Sequence, residues 1–296
     1  MSGRAAPLRA GAARWRRSSR TTAARACRPS LVAAAWTVWG RLRTLRRPEI
    51  GPHEFLMTPH ALDWSPQVYA RIGGLLYLVI IAFGFFAEGY VNSQLIVAGD
   101  PAATANNIAA APLLWRISLA GNLLVPVLAV GLLVVEYVLL KPVSRPLVLL
   151  AVFFNLVSLA VEAVSKINLL EMHALLSDPV YAQAFAAPQL QALARFALES
   201  HDIAWNIALL FFGFTCLVNG YLIFKSGYLP KAVGLLLQAA GLSYLVACTT
   251  ALLLPALANA LLPGILLPVL VGEASFCLWL LIKGVDVVQW KARAGQ

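Results

Sequence analysis

Six apolar runs, each of about 20 residues, constrain this chain more strongly than any other feature of its sequence. About 20 apolar residues in helical conformation cross the hydrocarbon core of a bilayer, which is roughly 30 Å thick. Backbone groups in lipid must be hydrogen-bonded internally, so such runs form helices rather than open strands. We therefore predict an all-α, polytopic membrane protein with a bundle of six transmembrane helices. The predicted spans are residues 72–91, 117–140, 147–169, 203–224, 232–254 and 264–282.

Composition excludes a soluble domain and locates the charge. The chain has 296 residues, of which 60% are hydrophobic and 12% charged, whereas about a quarter of the residues in a soluble domain are charged. The formal net charge of +10 lies within residues 1–56, which hold 12 Arg, no Lys and two acids. From Met57 onward 11 basic residues balance 11 acidic ones. Because no basic patch exists outside residues 1–56, we do not expect a nucleic-acid partner.

The Arg-rich segment 1–56 allows three interpretations. It is a disordered basic arm that touches anionic lipid, a transit-like presequence, or upstream sequence translated from a start placed too early. We favour the third, because Met57 leads directly into the first span. The predicted organisation is then an extension (1–56), a cytoplasmic lead-in (57–71), a six-helix membrane domain (72–283) and a cytoplasmic tail (284–296).

The distribution of Lys and Arg around the spans predicts the orientation in the membrane. Cytoplasmic flanks retain these residues, and one side of the predicted bundle holds eight of them, whereas the other side holds Arg116 and Arg195. Both termini should therefore lie in the cytoplasm, with the protein in the cytoplasmic membrane. The eight residues are Arg71, Lys141, Arg145, Lys225, Lys231, Lys283, Lys291 and Arg293.

Two outer loops carry signals for short helices. Asp100 followed by Pro101 is a helix N-cap with Pro at the first helical position, and the helix should end before Pro112. Asp178 with Pro179 repeats this signal. A separate interfacial helix is expected to follow, because three apolar residues share one helical face. We expect both loops to form lids over the bundle. The three apolar residues are Leu190, Leu193 and Ala197.

Glycine recurs at intervals of seven residues through the fourth and fifth spans. Small residues let membrane helices approach closely, and a hairpin folded about Gly227 would set Gly220 against Gly234 and Gly213 against Gly241. We interpret the repeat as helix packing. The alternative is that these glycines leave room for a ligand or a lipid chain.

Ionisable and amide side chains inside the spans are candidates for a polar cavity, because a charge near the bilayer centre costs at least about 2.5 kcal/mol. In the predicted topology they concentrate between mid-depth and the external side, which indicates an outward-facing cavity. In the structural alternative, Glu162 pairs with Lys166, Arg116 pairs with Glu88, and nothing enters. Glu136 stands apart near the cytoplasmic end. The candidates are Glu88, Arg116, Asn122, Glu162, Lys166, His201, Asp202 and Glu273.

Glu273 is the candidate closest to the membrane midplane, because it lies nine residues, or about 14 Å of helix rise, into the sixth span. In a transporter it would act as a proton-coupling or substrate-binding group. Glu162 and Lys166 would then form a gate pair, and Arg116 would contact an anion.

The sequence gives little indication of a metal site or of a catalytic nucleophile. The four cysteines, Cys27, Cys216, Cys248 and Cys277, show no CxxC spacing, and no HExxH, GxSxG or Walker A motif occurs. We therefore expect no metal, no cofactor and no catalytic residues, and we do not predict an enzyme.

Several strings together resemble the DUF4386 family, bacterial multi-pass membrane proteins that share a domain of unknown function. They are RIGGLLY at 71–77 continuing to AE at 87–88, GDPAATANNI at 99–108 followed by Arg116, FG at 212–213, GYLIFKSGYLP at 220–230, GLSYL at 241–245, GE at 272–273 and WLLIKGV at 279–285. The resemblance implies a six-helix bundle in the cytoplasmic membrane and carries no established activity. It also places Glu88, Asp100, Arg116 and Glu273 in motif positions, which makes them the first residues to mutate.

Two functional hypotheses follow for this multi-pass membrane protein. The first is a small transporter or permease-like protein with an outward-facing polar cavity. The alternative is a non-catalytic membrane partner or lipid-interacting protein whose buried charges are structural. The lipid bilayer is the expected surrounding in both, and the small molecule or partner protein stays unidentified.

Overall fold

The computed structural model describes residues 64–295, and all regular structure in this range is helical. The predicted Arg-rich extension 1–56, the proposed start at Met57 and the first part of the lead-in lie outside the described residues.

The first helical element contains a change of helix type. It begins as α1 (Pro66–Gly84), capped by the Ser65 hydroxyl, continues as a π-helical segment (Phe85–Val91), and ends as the short α2 (Asn92–Leu95). π-Helical segments inside α-helices are rare and often occur at functional sites. This segment carries Glu88.

The remaining helices confirm the six predicted spans. The helices after α2 are α3 (Pro101–Ala110), α4 (Pro112–Leu140), α5 (Arg145–Ser177), α6 (Pro179–Ala184), α7 (Ala187–Ser226), α8 (Lys231–Leu253), α9 (Pro255–Leu261), α10 (Leu267–Ile282) and α11 (Val287–Ala294). Six elements of the described residues are long and apolar enough to cross a membrane: Pro66–Leu95, α4, α5, α7, α8 and Gly264–Ile282. The last consists of a 3₁₀ turn (Gly264–Leu266) and α10.

The loop helices agree with the sequence in part. The Asp100 carboxylate accepts a hydrogen bond from the Ala103 N–H at 2.9 Å, and the Asp178 carboxylate accepts one from the Val180 N–H at 2.9 Å, so the predicted starts of α3 and α6 are confirmed. The separate interfacial helix predicted after α6 is wrong. Its residues belong to the 40-residue helix α7, because neither Pro nor Gly interrupts residues 189–212.

The six long helices form a ring in chain order. The first element packs on α4, α4 on α5, α5 on α7, α7 on α8, α8 on α10, and α10 returns to α1. The short helices α2, α3, α6 and α9 connect the long helices at one end of the bundle, which we call the lid end. The opposite end, which we call the basic end, holds the turns with Lys141, Lys225, Lys231 and Lys283.

Two apolar clusters fill the bundle, one toward each end. The cluster at the lid end joins α3 to the long helices and includes Val91, Ile108, Trp115, Leu169 and Ala197. The larger cluster, toward the basic end, includes Tyr77, Leu139, Ile223, Leu237 and Phe276.

Glycines bring α7 and α8 into backbone contact. A Cβ atom on Gly234 would lie 2.6 Å from the Gly220 carbonyl oxygen, and one on Gly241 would lie 2.7 Å from the Gly213 carbonyl oxygen. The turn between the helices uses Gly227 at a φ of +81°, a left-handed conformation that favours glycine. The structure thus contains both predicted contacts, Gly220 against Gly234 and Gly213 against Gly241.

At the basic end, two side chains donate hydrogen bonds to the same backbone carbonyl oxygen. The Tyr228 hydroxyl and the Trp290 indole N–H both donate to the Leu139 carbonyl oxygen, at 2.6 and 3.0 Å. Burial raises the pKa of Tyr228 above its ordinary value, because the phenolate loses hydration there. Through Trp290, the tail helix α11 is fixed to the end of α4.

Candidate functional site

Two groups of polar side chains lie among the apolar helices. The ion-pair cluster, in the half near the lid end, consists of Glu88, Glu162, Lys166 and His201. The carboxyl cluster, in the other half, consists of Tyr77, Glu136, Asn219, Tyr244 and Glu273.

Lys166 is the centre of the ion-pair cluster. Its side chain is only 2% exposed, and its Nζ lies 3.5 Å from Glu88 Oε1. The same Nζ lies 4.1 Å from the ring centroid of Trp205, so the ammonium group also has a cation–π contact. Asn92 Nδ2 donates to the other Glu88 oxygen at 2.9 Å. The π-helical segment, α5 and α7 are thereby joined through one buried cation.

His201 forms the α7 side of the cluster and is 1% exposed. Its Nδ1 donates to the Ser165 carbonyl oxygen at 3.2 Å, since a carbonyl only accepts hydrogen bonds. Its Nε2 lies 3.8 Å from Glu88 Oε1 and makes no hydrogen bond among the described residues. The imidazole stacks on Trp205, one turn further along α7.

Glu162 lies one turn of α5 below Lys166, away from the lid end. It is 7% exposed, and its Oε1 has no hydrogen-bond partner within residues 64–295. It interacts electrostatically with Lys166, Glu88 and His201. The cluster therefore contains two carboxylates around one permanent cation.

A pocket of about 210 Å³ lies at the lid end, between the turn before α3, the end of α5 and the start of α7. Its charged lining residues are Asp100, Arg195, Glu199 and Asp202. Arg195 pairs with Glu199 at 2.7 Å, and the Asp100 carboxylate caps α3. Asp202 interacts electrostatically with His201 and Glu88, so it connects the pocket to the ion-pair cluster.

The carboxyl cluster is built without a cation. Asn219 Nδ2 on α7 donates to Glu136 Oε2 on α4 at 3.0 Å. The Tyr244 hydroxyl on α8 donates to Glu273 on α10, and Tyr77 on α1 interacts with the same carboxyl. All three ion pairs in the described part of the chain lie outside this cluster.

The predicted cavity residues separate into groups. Glu88, Glu162, Lys166 and His201 come together, and Asp202 lies beside them in the pocket wall. Glu273 belongs to the carboxyl cluster instead. Arg116 is exposed, and Asn122 donates to the Ser118 carbonyl of its own helix.

The two ion pairs predicted in the structural alternative, Glu162 with Lys166 and Arg116 with Glu88, are both wrong. Glu88 pairs with Lys166 rather than with Arg116, and Lys166 pairs with Glu88 rather than with Glu162. The reason is that Glu88 points from the π-helical segment toward α5, whereas the Arg116 side chain lies at the exposed surface of α4.

Several participating residues were missed in the sequence. Trp205 follows His201 by one helical turn and could have been found by that spacing, and Tyr244 lies inside the family string GLSYL. Tyr77 likewise ends the family string RIGGLLY, whereas Asn219 carries no such signal. Within residues 64–295 no group of three or more His, Cys, Asp or Glu side chains is arranged to hold a metal ion.

The family comparison agrees with the architecture. The sequence model of DUF4386, a domain of unknown function, matches residues 72–284. The chain belongs to the DUF4386 family. The DUF4386 match begins six residues into α1, includes the other five long helices and both polar clusters, and fits a multi-pass membrane protein. Searches of curated proteins and of solved structures find no match.

Proposed function

We propose that this protein is a small transporter, of permease type, that takes up a small organic cation through the pocket at the lid end. The observation that carries the proposal is the position of Asp202, which lines the pocket and interacts with the buried ion-pair cluster. Intramembrane ionisable residues commonly mark substrate or ion pathways.

The charge balance supports a cationic ligand. In the pocket Arg195 is already paired with Glu199, and Asp100 is engaged as a helix cap. Asp202 is exposed to the pocket and has no ion pair in the described range. The buried cluster below adds Glu162, whose Oε1 is without a hydrogen-bond partner. In the pocket and in the ion-pair cluster alike, the carboxylates thus outnumber the fixed cations.

Within residues 64–295, two carboxylate acceptors without an ion pair lie at different depths of the lid half. Asp202 is in the pocket wall, and Glu162 Oε1 lies deeper, one turn of α5 below Lys166. An ammonium group that descended from the pocket would exchange the first acceptor for the second. Lys166 would be displaced from Glu88 or would limit how far the ligand descends.

The distribution of basic residues supports an external position for the pocket. Cytoplasmic flanks retain Lys and Arg, and the turns at the basic end hold Lys141, Lys225, Lys231 and Lys283. The lid end would then face outward, and the ligand would arrive from outside the cell.

The test is thermal unfolding of the purified full chain in detergent with ethylammonium, choline or guanidinium at constant ionic strength. We expect at least one cation to raise Tm, because a ligand that binds only the folded state stabilises it. Ethanol and acetate serve as neutral and anionic controls and should not raise Tm. The stabilising cation, radiolabelled, should then enter proteoliposomes that contain the protein.

Two variants test whether the Asp202 carboxylate binds the cation that raises Tm. Asp202→Asn removes the pocket carboxylate and should abolish most of the Tm increase. Glu171→Gln removes an exposed carboxylate near the lid end of α5 and should leave the Tm increase intact. If no cation raises Tm, or if Asp202→Asn responds like the wild type, the pocket is not the binding site. Binding without uptake would contradict transport and favour the structural alternative, a membrane partner whose buried charges hold helices together.

A further inference from the structure

Glu136 and Asn219 form a hydrogen bond between two buried side chains on different long helices of the bundle. Glu136 is 8% exposed and Asn219 is 3% exposed. Asn219 Nδ2 donates to Glu136 Oε2 at 3.0 Å, and this bond joins α4 to α7. Neither residue lies in the pocket or in the ion-pair cluster, so the proposed transport pathway leaves both unexplained.

The carbonyl oxygen of the Asn219 side chain is buried and has no hydrogen-bond partner in the described part of the chain. Leaving a buried acceptor unsatisfied costs about 1–3 kcal/mol. An ionised carboxylate cannot satisfy this acceptor, because it has no hydrogen to donate. A protonated carboxyl can, because its O–H is a donor and its C=O still accepts from the amide N–H.

We propose that Glu136 and Asn219 form a binding site for one exchangeable proton within the membrane. Glu136 takes the proton from a hydronium ion, whose O–H bond breaks as the O–H bond on the carboxyl oxygen forms, and on deprotonation returns it to a water molecule. The acid and the amide then have complementary edges: the Asn219 N–H donates to the acid, and the acid O–H donates to the Asn219 carbonyl.

The surroundings of Glu136 favour a neutral acid. No Lys, Arg or His pairs with Glu136 or Glu273 in residues 64–295, and the two carboxyls interact with each other electrostatically. Two nearby carboxylates without a cation disfavour ionisation of both. The other titratable groups that face this cluster from the neighbouring helices are Tyr77, Cys216, Tyr244, Cys248, Glu273 and Cys277.

Glu273 differs from Glu136 in its hydrogen-bond donors. It accepts a hydrogen bond from the Tyr244 hydroxyl and interacts with the Tyr77 hydroxyl. Phenol groups donate to a carboxyl whether or not it carries a proton. Glu136, in contrast, lies beside a buried acceptor without a donor among the described residues, the Asn219 carbonyl oxygen, so we assign the exchangeable proton to Glu136. A role of this proton in driving uptake rests on the proposed function, whereas the site itself does not.

The experiment is infrared difference spectroscopy of the full chain in liposomes, between about pH 6 and pH 9. Exposed carboxyls titrate near pH 4 and stay ionised across this range. The wild type should show the C=O stretch of a protonated carboxyl that disappears on deprotonation. Glu136→Gln should remove this component. It should fold, because the glutamine amide also offers a donor and an acceptor to Asn219.

Two further variants keep the assignment testable. Glu162→Gln should retain the component, since it lies outside the carboxyl cluster and leaves Glu136 and Asn219 intact. Asn219→Leu should shift it to higher frequency, because the acid O–H loses its acceptor. A component that persists in Glu136→Gln, or that is unchanged in Asn219→Leu, overturns the proposal. No transported solute enters this experiment, so a failure of the transport hypothesis leaves its outcome unaffected.

Discussion

The two polar clusters contain the same kind of acid but stabilise it differently. In the ion-pair cluster Glu88 meets a buried ammonium group at 3.5 Å. In the carboxyl cluster Glu136 and Glu273 meet only an amide and two phenols. The bundle thus holds its buried glutamates in two ways, with a fixed cation in one cluster and with neutral donors in the other.

The two clusters should therefore be sensitive to different kinds of substitution. The ion-pair cluster depends on one side chain, so removal of Lys166 leaves its carboxylates without compensation. The carboxyl cluster depends on helix approach, because its donors come from α1, α7 and α8. We expect charge substitutions to damage the first cluster and packing substitutions to damage the second.

The largest effect is expected for Lys166→Met. Removing one partner of a buried pair leaves an uncompensated charge, and we expect a loss of about 3 kcal/mol in the free energy of unfolding. The double variant Lys166→Met, Glu88→Gln should recover most of this loss. Equilibrium unfolding in mixed detergent micelles measures both.

The matched control for this prediction is an exposed ion pair. Arg195 and Glu199 are 51% and 55% exposed, and exposed pairs contribute less than about 1 kcal/mol. Arg195→Gln should therefore change the free energy of unfolding only slightly. Equal losses in Lys166→Met and Arg195→Gln would remove the distinction between the clusters.

Gly234→Ala addresses the packing side of the comparison. The new Cβ would meet the Gly220 carbonyl at 2.6 Å and the Phe224 N at 2.7 Å, so α8 must move away from α7. Forced overpacking typically costs about 1–3 kcal/mol, and we expect about 2 kcal/mol in the same unfolding assay. Gly131→Ala, whose Cβ would meet only Leu76 Cδ1 at 3.5 Å, should cost nothing. Similar losses in both variants would show that the α7–α8 contact is not special.

The smallest effect is expected for Tyr228→Phe at the basic end. It removes the hydroxyl that donates to Leu139, a loss of about 1 kcal/mol. Because burial raises the pKa of Tyr228 in the folded state, the hydroxyl's contribution is complete below about pH 10 and is lost as pH rises further. The stability difference between wild type and variant should therefore shrink in alkaline buffer. A difference that grows with pH would contradict the assignment.

The number of spans and much of the loop structure could be predicted, because both depend on local signals. Run length predicts the six long helices, and the Asp100–Pro101 step predicts the start of α3. The seven-residue glycine spacing predicted contacts that the structure contains. Each of these signals is contained within one or two segments of chain.

The partners inside the bundle could not be predicted, because they depend on how each helix is rotated about its axis. Charge and depth made Arg116 a plausible partner for Glu88, but Lys166 reaches it from α5. Glu136 stood apart by depth, and its hydrogen bond to Asn219 across the α4–α7 contact carried no signal in the sequence. Rotation and cross-helix contact are properties of the assembled ring.

The π-helical segment Phe85–Val91 has a consequence for the span that contains it. A π-helical turn closes its hydrogen bond over five residues instead of four, and each residue of an α-helix turns the chain by about 100°. The side chains beyond the segment are thus presented in a direction that a continuous α-helix would not give them. Deleting one residue here would shorten the span by only about 1.5 Å. Such a deletion would keep Asn92 and Leu95 in phase with Gly74 and Tyr77 only if the six remaining residues closed into α-helical turns, whereas a deletion elsewhere in the span would turn them by about 100°.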